Sequence, residues 1–205
     1  ALTGRISDEK YYLELFNKTK AFWNEKFVDP KSGMTCCDTQ GSYSIGLSFD
    51  MFDNNVKKAA FAHLDRKVRE ADYTLTTGFF STGPILPMLS SGGYNETAYK
   101  LMTSTKCPGW LYPVTQGATT IWERWDSFTH EKGFGGLCSM NSFNHYSFGC
   151  VLNWFYEYVL GIKLDGEHIT IKPIFTGFKS AGGGFETSFG TIETAYETSG
   201  GKVRF

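Results

Sequence analysis

The sequence predicts a mainly α protein, with helices in the order that a two-layered ring requires, that passes into a short antiparallel β segment. Three observations carry this expectation. Up to Leu160, segments apolar on most sides alternate with segments apolar on one face only. Gly or Pro punctuates most of the junctions between them. After Gly161 the period changes from helical to alternating. A ring with two layers needs this order, because inner helices pack on all sides while outer helices show one face to water.

Each element follows in turn. Residues 11–27 read as a helix with Tyr12, Phe16, Trp23 and Phe27 on one stripe and Asp8 as N-cap. Asp29-Pro30 and Ser32-Gly33 break it. Residues 38–52, with Tyr43, Ile45, Leu47, Phe49 and Met51, read as an inner helix. Asp53-Asn54-Asn55 then caps an outer one, whose stripe is Val56, Ala60, Leu64, Val68 and Ala71. Residues 79–89 are apolar despite Pro84 and Pro87, and Gly92-Gly93 stops them. Residues 95–105 are amphipathic, with Ala98, Leu101 and Met102 inward, until Pro108-Gly109. Residues 114–122 read as a further short inner helix. Residues 142–160 are hydrophobic nearly all round and read as the most buried helix, capped by Asn141 or Ser142 and stopped by Gly161. Strands are expected at 168–172, ended by Pro173, at 185–189, at 192–196 and from 202, with a turn at Ser199-Gly200-Gly201.

Composition excludes several classes. The net charge is −1, with no basic run, so nucleic acid and anionic membranes gain no electrostatic attraction. No apolar stretch is long enough to span a bilayer. No leader-peptide pattern is visible, which favours a cytoplasmic location for this chain and says nothing about export of a longer parent. Five cysteines without a CxxC pair argue against a disulfide framework and a zinc site, and point to reduced, mostly buried thiols. Aromatic content is high, at 17%. Aromatic side chains fill cores and also stack on the apolar faces of sugars, and composition does not choose between these uses.

Two segments carry chemistry. In Gly117-Ala118-Thr119-Thr120-Ile121-Trp122-Glu123-Arg124-Trp125-Asp126, two tryptophans flank a Glu-Arg pair. A carboxylate that handles a proton, walled by aromatic faces, suits glycoside chemistry; a surface ion pair near two core tryptophans is the structural alternative. In Met140-Asn141-Ser142-Phe143-Asn144-His145-Tyr146, Asn and His sit at the start of the expected buried helix, where they either meet sugar hydroxyls or simply cap.

Together these motifs resemble the α-L-rhamnosidase family of glycoside hydrolases. Thr77-Gly78-Phe79 with Thr82, Pro84 and Leu86-Pro87, then Pro108-Gly109-Trp110, and finally Ile169-Thr170-Ile171-Lys172-Pro173 resemble the family on either side, so that the similarity covers nearly the whole chain. The resemblance implies an (α/α)6 six-hairpin toroid. Residues 1–162 would be the C-terminal portion of that catalytic toroid, and 163–205 the beginning of a β-sandwich. It further implies hydrolysis of terminal α-L-rhamnose with inversion, which requires two carboxyl groups about 6.5–9.5 Å apart. Glu123 matches the family's general base, and His145 its sugar-recognising histidine. Trp110, Trp122 and Trp125 are expected as wall residues, with Arg124 and Asp126 orienting the loop.

The family's general acid lies in an upstream motif that these residues do not match. Asp38, Asp72 and Glu131 stand in the wrong context for it. Half an active site is therefore expected, with apolar inner faces covered by oligomerisation or by the rest of the ring. No cofactor and no metal is expected; the partner is a rhamnose-containing glycoside or oligosaccharide. A truncated chain that binds sugar without catalysis, a toroid acting on another sugar, and a helical scaffold working through protein contacts are the competing readings. The first is favoured by the absent acid, while the last leaves the clustered Trp, Glu and His without a purpose.

Overall fold

A computed structural model of the chain describes residues 4–134, 140–166 and 168–205. Among the described residues the helices are α1 (Ile6–Phe27), α2 (Gln40–Ser48), α3 (Asn54–Glu70), α4 (Phe79–Ser91), α5 (Asn95–Thr103), α6 (Leu111–Thr115) and α7 (Val151–Trp154). A tight helical turn, Ser147–Cys150, leads into α7, and a wider one, Phe155–Val159, continues it.

The alternation of inner and outer helices is present. The inner α4 buries Thr82, Ile85, Leu86 and Leu89 and packs against both α2 and α7. The Ser44 hydroxyl of α2 donates to the Ser81 carbonyl of α4 at 2.8 Å. From α7, the Trp154 indole donates to the Ser90 hydroxyl at 2.9 Å. The outer α3 and α5 turn one face inward: Val56, Ala60, Leu64 and Val68 from α3, Ala98, Leu101 and Met102 from α5. A side chain such as Leu64, fully buried, contributes about 1.5–3 kcal/mol by leaving water. Thr97 of α5 donates to the buried Asp65 carboxylate of α3 at 2.5 Å, which satisfies the one acid that the inward face of α3 buries.

Several helix boundaries differ from expectation, for identifiable reasons. Asp8 is not the cap of α1; the helix starts two residues earlier, after Arg5, and Asp8 sits in its first turn. The expected stripe of α1 is only partly used. Trp23 meets Phe52 edge-to-face at 4.7 Å, whereas Tyr12 and Phe27 are exposed and no residue of α1 is buried among the described residues. The helix α2 is shorter than 38–52. It opens at Thr39, whose hydroxyl accepts from Ser42 N–H while the Ser42 side chain returns to the Thr39 N–H. Thr39→Ala removes this reciprocal cap and is expected to cost about 1 kcal/mol, read from urea denaturation midpoints.

The helix ends share one device. At α2, α3, α4 and α6 the third residue past the helix donates to the third-last carbonyl, and the residue before it bonds one turn inside. The long bonds are Met51 to Gly46, Tyr73 to Val68, Tyr94 to Leu89 and Ala118 to Pro113, at 2.8–3.0 Å. The left-handed residue this needs is Asp50, Asp72, Gly93 or Gly117. Gly117 therefore ends α6 at Thr115, and residues 117–122, expected to be helical, are loop. Residues 142–146 are not helical either, because their backbone is engaged elsewhere. The cysteine expectation also needs correction. The four described thiols are free, but Cys36, Cys37 and Cys107 are exposed and Cys150 is only half-buried; Cys138 lies outside the described residues.

Beyond Gly161 the chain is antiparallel β. A small hairpin, β1 (Phe128–Thr129) with β2 (Gly133–Phe134), precedes α7. After it come a hairpin of β3 (Ile162–Asp165) and β4 (His168–Ile171), and a meander of β5 (Ser180–Thr187), β6 (Gly190–Ser199) and β7 (Lys202–Arg204). The β part docks on the helices. Ile174 N–H donates to the Tyr158 carbonyl at 2.8 Å, the Thr194 hydroxyl to the Leu160 carbonyl at 3.0 Å, and Tyr196 joins the helical core. Among the described residues no helix is long and apolar enough to cross a membrane.

Candidate functional site

The two motif segments come together as paired loops. Glu123 N–H donates to the Ser142 carbonyl at 2.8 Å, and His145 N–H to the Ile121 carbonyl, also at 2.8 Å. The Thr120 hydroxyl donates to the Phe143 carbonyl. The Glu123 carboxylate closes the pairing, since its Oε2 accepts from Ser142 N–H at 2.7 Å. Ser142 caps no helix: its carbonyl is taken by Glu123 N–H, and its hydroxyl accepts from Asn144 N–H at 3.1 Å within the loop. The loop is braced from below by Ser127, fully buried, whose hydroxyl both accepts from Arg124 N–H and donates to the Arg124 carbonyl.

Glu123 lines an open pocket of about 270 Å3 with Gly78, Phe79, Arg124, Trp125, Asp126 and Phe148. That is near the lower end of ligand pockets. Its walls are set by aromatic packing. Trp125 stacks on Phe148 with ring centroids 3.7 Å apart, and Phe148 meets Phe79 at 5.1 Å. Phe79 is the first residue of α4, so the pocket opens at the N-terminal end of an inner helix. Arg124 and Asp126 pair weakly with each other at 3.5 Å on the exposed rim, consistent with holding the loop's shape.

His145 does not line this pocket directly. Its ring lies between Phe79 and Tyr146, 5.3 Å from each and nearly parallel to both. Its Nδ1 accepts from Ser147 N–H at 3.3 Å, which puts the ring proton on Nε2 and makes that nitrogen a donor. Of the three expected wall tryptophans, Trp125 alone reaches the pocket. Trp110 and Trp122 are buried behind it, because Trp110 donates its indole N–H to the Phe148 carbonyl at 3.0 Å and Trp122 packs on Phe128 and Phe143. They support the wall from within. Sequence reasoning missed Phe79, Phe148 and Ser142 as parts of the site. Phe79 was within reach, in the Thr77-Gly78-Phe79 segment; Phe148 and Ser142 looked like any core and capping residues. Among the described residues no three His, Cys, Asp or Glu side chains gather as a metal site would require.

The arrangement offers a positioned carboxylate, an aromatic wall and a neighbouring imidazole N–H donor. That set can bind a small polyhydroxylated ring and take a proton from water beside it. Comparison with known proteins gives the family. Residues 1–159 match the family described as the bacterial alpha-L-rhamnosidase 6 hairpin glycosidase domain. An alpha-L-rhamnosidase of Streptomyces avermitilis is 34% identical over 201 residues, 96% of this chain but 19% of its own length. One from Formosa agariphila is 35% identical over 199 residues, 95% of this chain and 21% of its length. The chain thus spans about a fifth of the length of these relatives. The crystal structure of the Streptomyces avermitilis enzyme complexed with L-rhamnose superimposes with a TM-score of 0.88 at 32% identity, covering 95% of this chain and 19% of that one. The native Aspergillus terreus enzyme superimposes at 0.86 and 29% identity, covering 94% and 23%. This chain, a helical ring segment with its loops at the inner-helix ends, belongs to the bacterial α-L-rhamnosidase six-hairpin glycosidase domain family.

Proposed function

We propose that this chain forms part of an inverting α-L-rhamnosidase and that Glu123 is its general base. One observation carries the reading: the Glu123 carboxylate is fixed by the Ser142 N–H on the floor of a pocket walled by Phe79, Trp125 and Phe148. A base must be held still at hydrogen-bond reach of the water it deprotonates. Anchoring Oε2 through a backbone N–H, on a loop itself pinned at residues 120, 121 and 145, fixes the carboxylate in this way.

The aromatic wall holds the apolar face of the sugar, and His145 Nε2–H donates to one of its hydroxyls. Trp110 and Trp122 keep the wall rigid from behind. The general acid comes from a part of the enzyme outside these 205 residues, placed so that its carboxyl lies about 6.5–9.5 Å from Glu123 and leaves room for water. The toroid portion is residues 1–162 and the β domain begins at 163. The substrate is a glycoside or oligosaccharide with terminal α-L-rhamnose.

The test is release of aryl alcohol from a chromogenic aryl α-L-rhamnoside. The 205-residue chain alone is expected to be silent, and a protein extended to the relatives' length active. Turnover by the short chain, abolished by a Glu123 substitution, would place the acid within these residues and overturn the half-site assignment. In the extended enzyme His145→Ala is expected to lower kcat/KM about tenfold, the loss of one hydrogen bond to substrate. Unchanged kcat/KM would remove His145 from recognition.

A further inference from the structure

The loop between α1 and α2 carries two adjacent cysteines, Cys36 and Cys37, that the rhamnoside chemistry above does not use. Both are exposed, and their sulfurs lie 3.6 Å apart. The dipeptide is strung between two fixed points. Before it, Thr35 is buried and bridges to Val28, and Cys36 N–H donates to the Phe27 carbonyl at 2.9 Å. After it, Asp38 sits in the left-handed region at φ 43°, its Oδ1 accepting from the Tyr43 hydroxyl at 2.7 Å and from Arg66 at 2.6 Å. Thr39 then caps α2. The backbone that carries the two thiols is therefore fixed on both sides.

Their spacing suits a shared third atom better than a direct bond. A disulfide usually joins Cα atoms about 4.4–6.8 Å apart, whereas neighbours across a trans peptide hold theirs at about 3.8 Å. An atom bonded to each sulfur at about 2.3 Å, the zinc–thiolate length, would subtend roughly 103° across the 3.6 Å gap. That angle is natural to tetrahedral and pyramidal centres. Among the described residues no further His, Cys, Asp or Glu completes a set of three, so a metal that needs four protein ligands is poorly matched. A centre satisfied by two sulfurs is well matched. The hydrogen bond with Cys36 holds the Cys37 thiol above its ordinary range.

We propose that Cys36 and Cys37 form a preorganised dithiol site that captures one trivalent thiophilic atom, with monosubstituted arsenicals as the ligand class. For an arsine oxide the step is balanced without an oxidant. Two S–H bonds break, two As–S bonds form, and the oxide oxygen takes both protons and leaves as water while arsenic stays trivalent. The cyclic dithioarsenite that results resists monothiols, since reversal requires both sulfurs to be displaced.

The experiment uses phenylarsine oxide and intact-mass spectrometry on the 205-residue chain, with circular dichroism confirming that each variant is folded. The wild-type chain is expected to keep about one phenylarsine after a glutathione wash and to lose it to a small dithiol. Cys36→Ser and Cys37→Ser each remove the chelate, and each is expected to weaken retention at least about a hundredfold, the loss of one arm of a two-point attachment. Cys107→Ser, Cys138→Ser and Cys150→Ser retain it. Retention by either of the first two variants overturns the proposal. So does loss in any of the last three, or release of the wild-type adduct by glutathione.

Discussion

Glu123→Gln in the extended enzyme is expected to lower kcat for an aryl α-L-rhamnoside by at least about a hundredfold while KM changes little. The amide is nearly the same shape as the carboxylate, and its carbonyl oxygen can still accept the Ser142 N–H that holds the loop. What it cannot do is take a proton from water. Loss of an interaction made only as the water attacks lowers kcat, whereas loss of sugar contacts raises KM, so the split between the two constants separates a base from a binding residue. Glu123 is partly exposed, which keeps the substitution from disturbing the core, and an unchanged melting temperature would show it. A small anionic nucleophile such as azide needs no base, and is expected to restore aryl release in the variant. Near-wild-type turnover by Glu123→Gln removes the base assignment. A hundredfold loss without azide rescue and with a raised KM would instead make Glu123 a binding group.

Much of this arrangement was legible in the sequence wherever one face of one element decided it. The stripes of α3 and α5 and the alternation of β6 are local patterns that the fold uses as written, whereas β4 is exposed on both faces. The end of α2 was not legible, because Asp50 occupies a left-handed position where Gly is the usual mark. The strand β5 was half-hidden by Gly182, Gly183 and Gly184, which carry no side chain to show the alternation. Residues 142–146 looked helical because Phe143 and Tyr146 keep a helical spacing. What decides their conformation is a pairing with residues 120–123, about twenty positions away, that no local pattern encodes. The same holds for the site. The carboxylate and the histidine beside the pocket were visible as motifs, but which tryptophan faces the pocket depends on packing behind it. The indole N–H of Trp110 bonded to the Phe148 carbonyl turns that ring inward, and Trp125 takes the wall by stacking on Phe148.

The joint between the ring and the β segment rests on Gly161, and Gly161→Ala is expected to destabilise the 205-residue chain by about 3 kcal/mol or more. Two independent terms add. Gly161 has φ 75°, where a Cβ costs roughly 1–2 kcal/mol against the following carbonyl. That Cβ would also lie 2.1 Å from the nitrogen of Pro173 and 2.3 Å from the carbonyl carbon of Lys172. Both are backbone atoms of the chain leaving β4, so no side chain can swing away. The segment must move as a unit, and moving it breaks the Lys172 N–H bond to the Gly161 carbonyl and the Ile174 N–H bond to Tyr158, which dock the β part on the helical core. Gly200→Ala is the matched control: φ is 56° and nothing lies within 4 Å of the added carbon, so only the conformational term applies and a cost of about 1–2 kcal/mol is expected. Urea denaturation of the two variants measures the difference. If both lose the same amount, the close approach at Pro173 is relieved without cost and the β segment is not anchored through Gly161. A larger loss for Gly161→Ala places the coupling between ring and sheet at this residue.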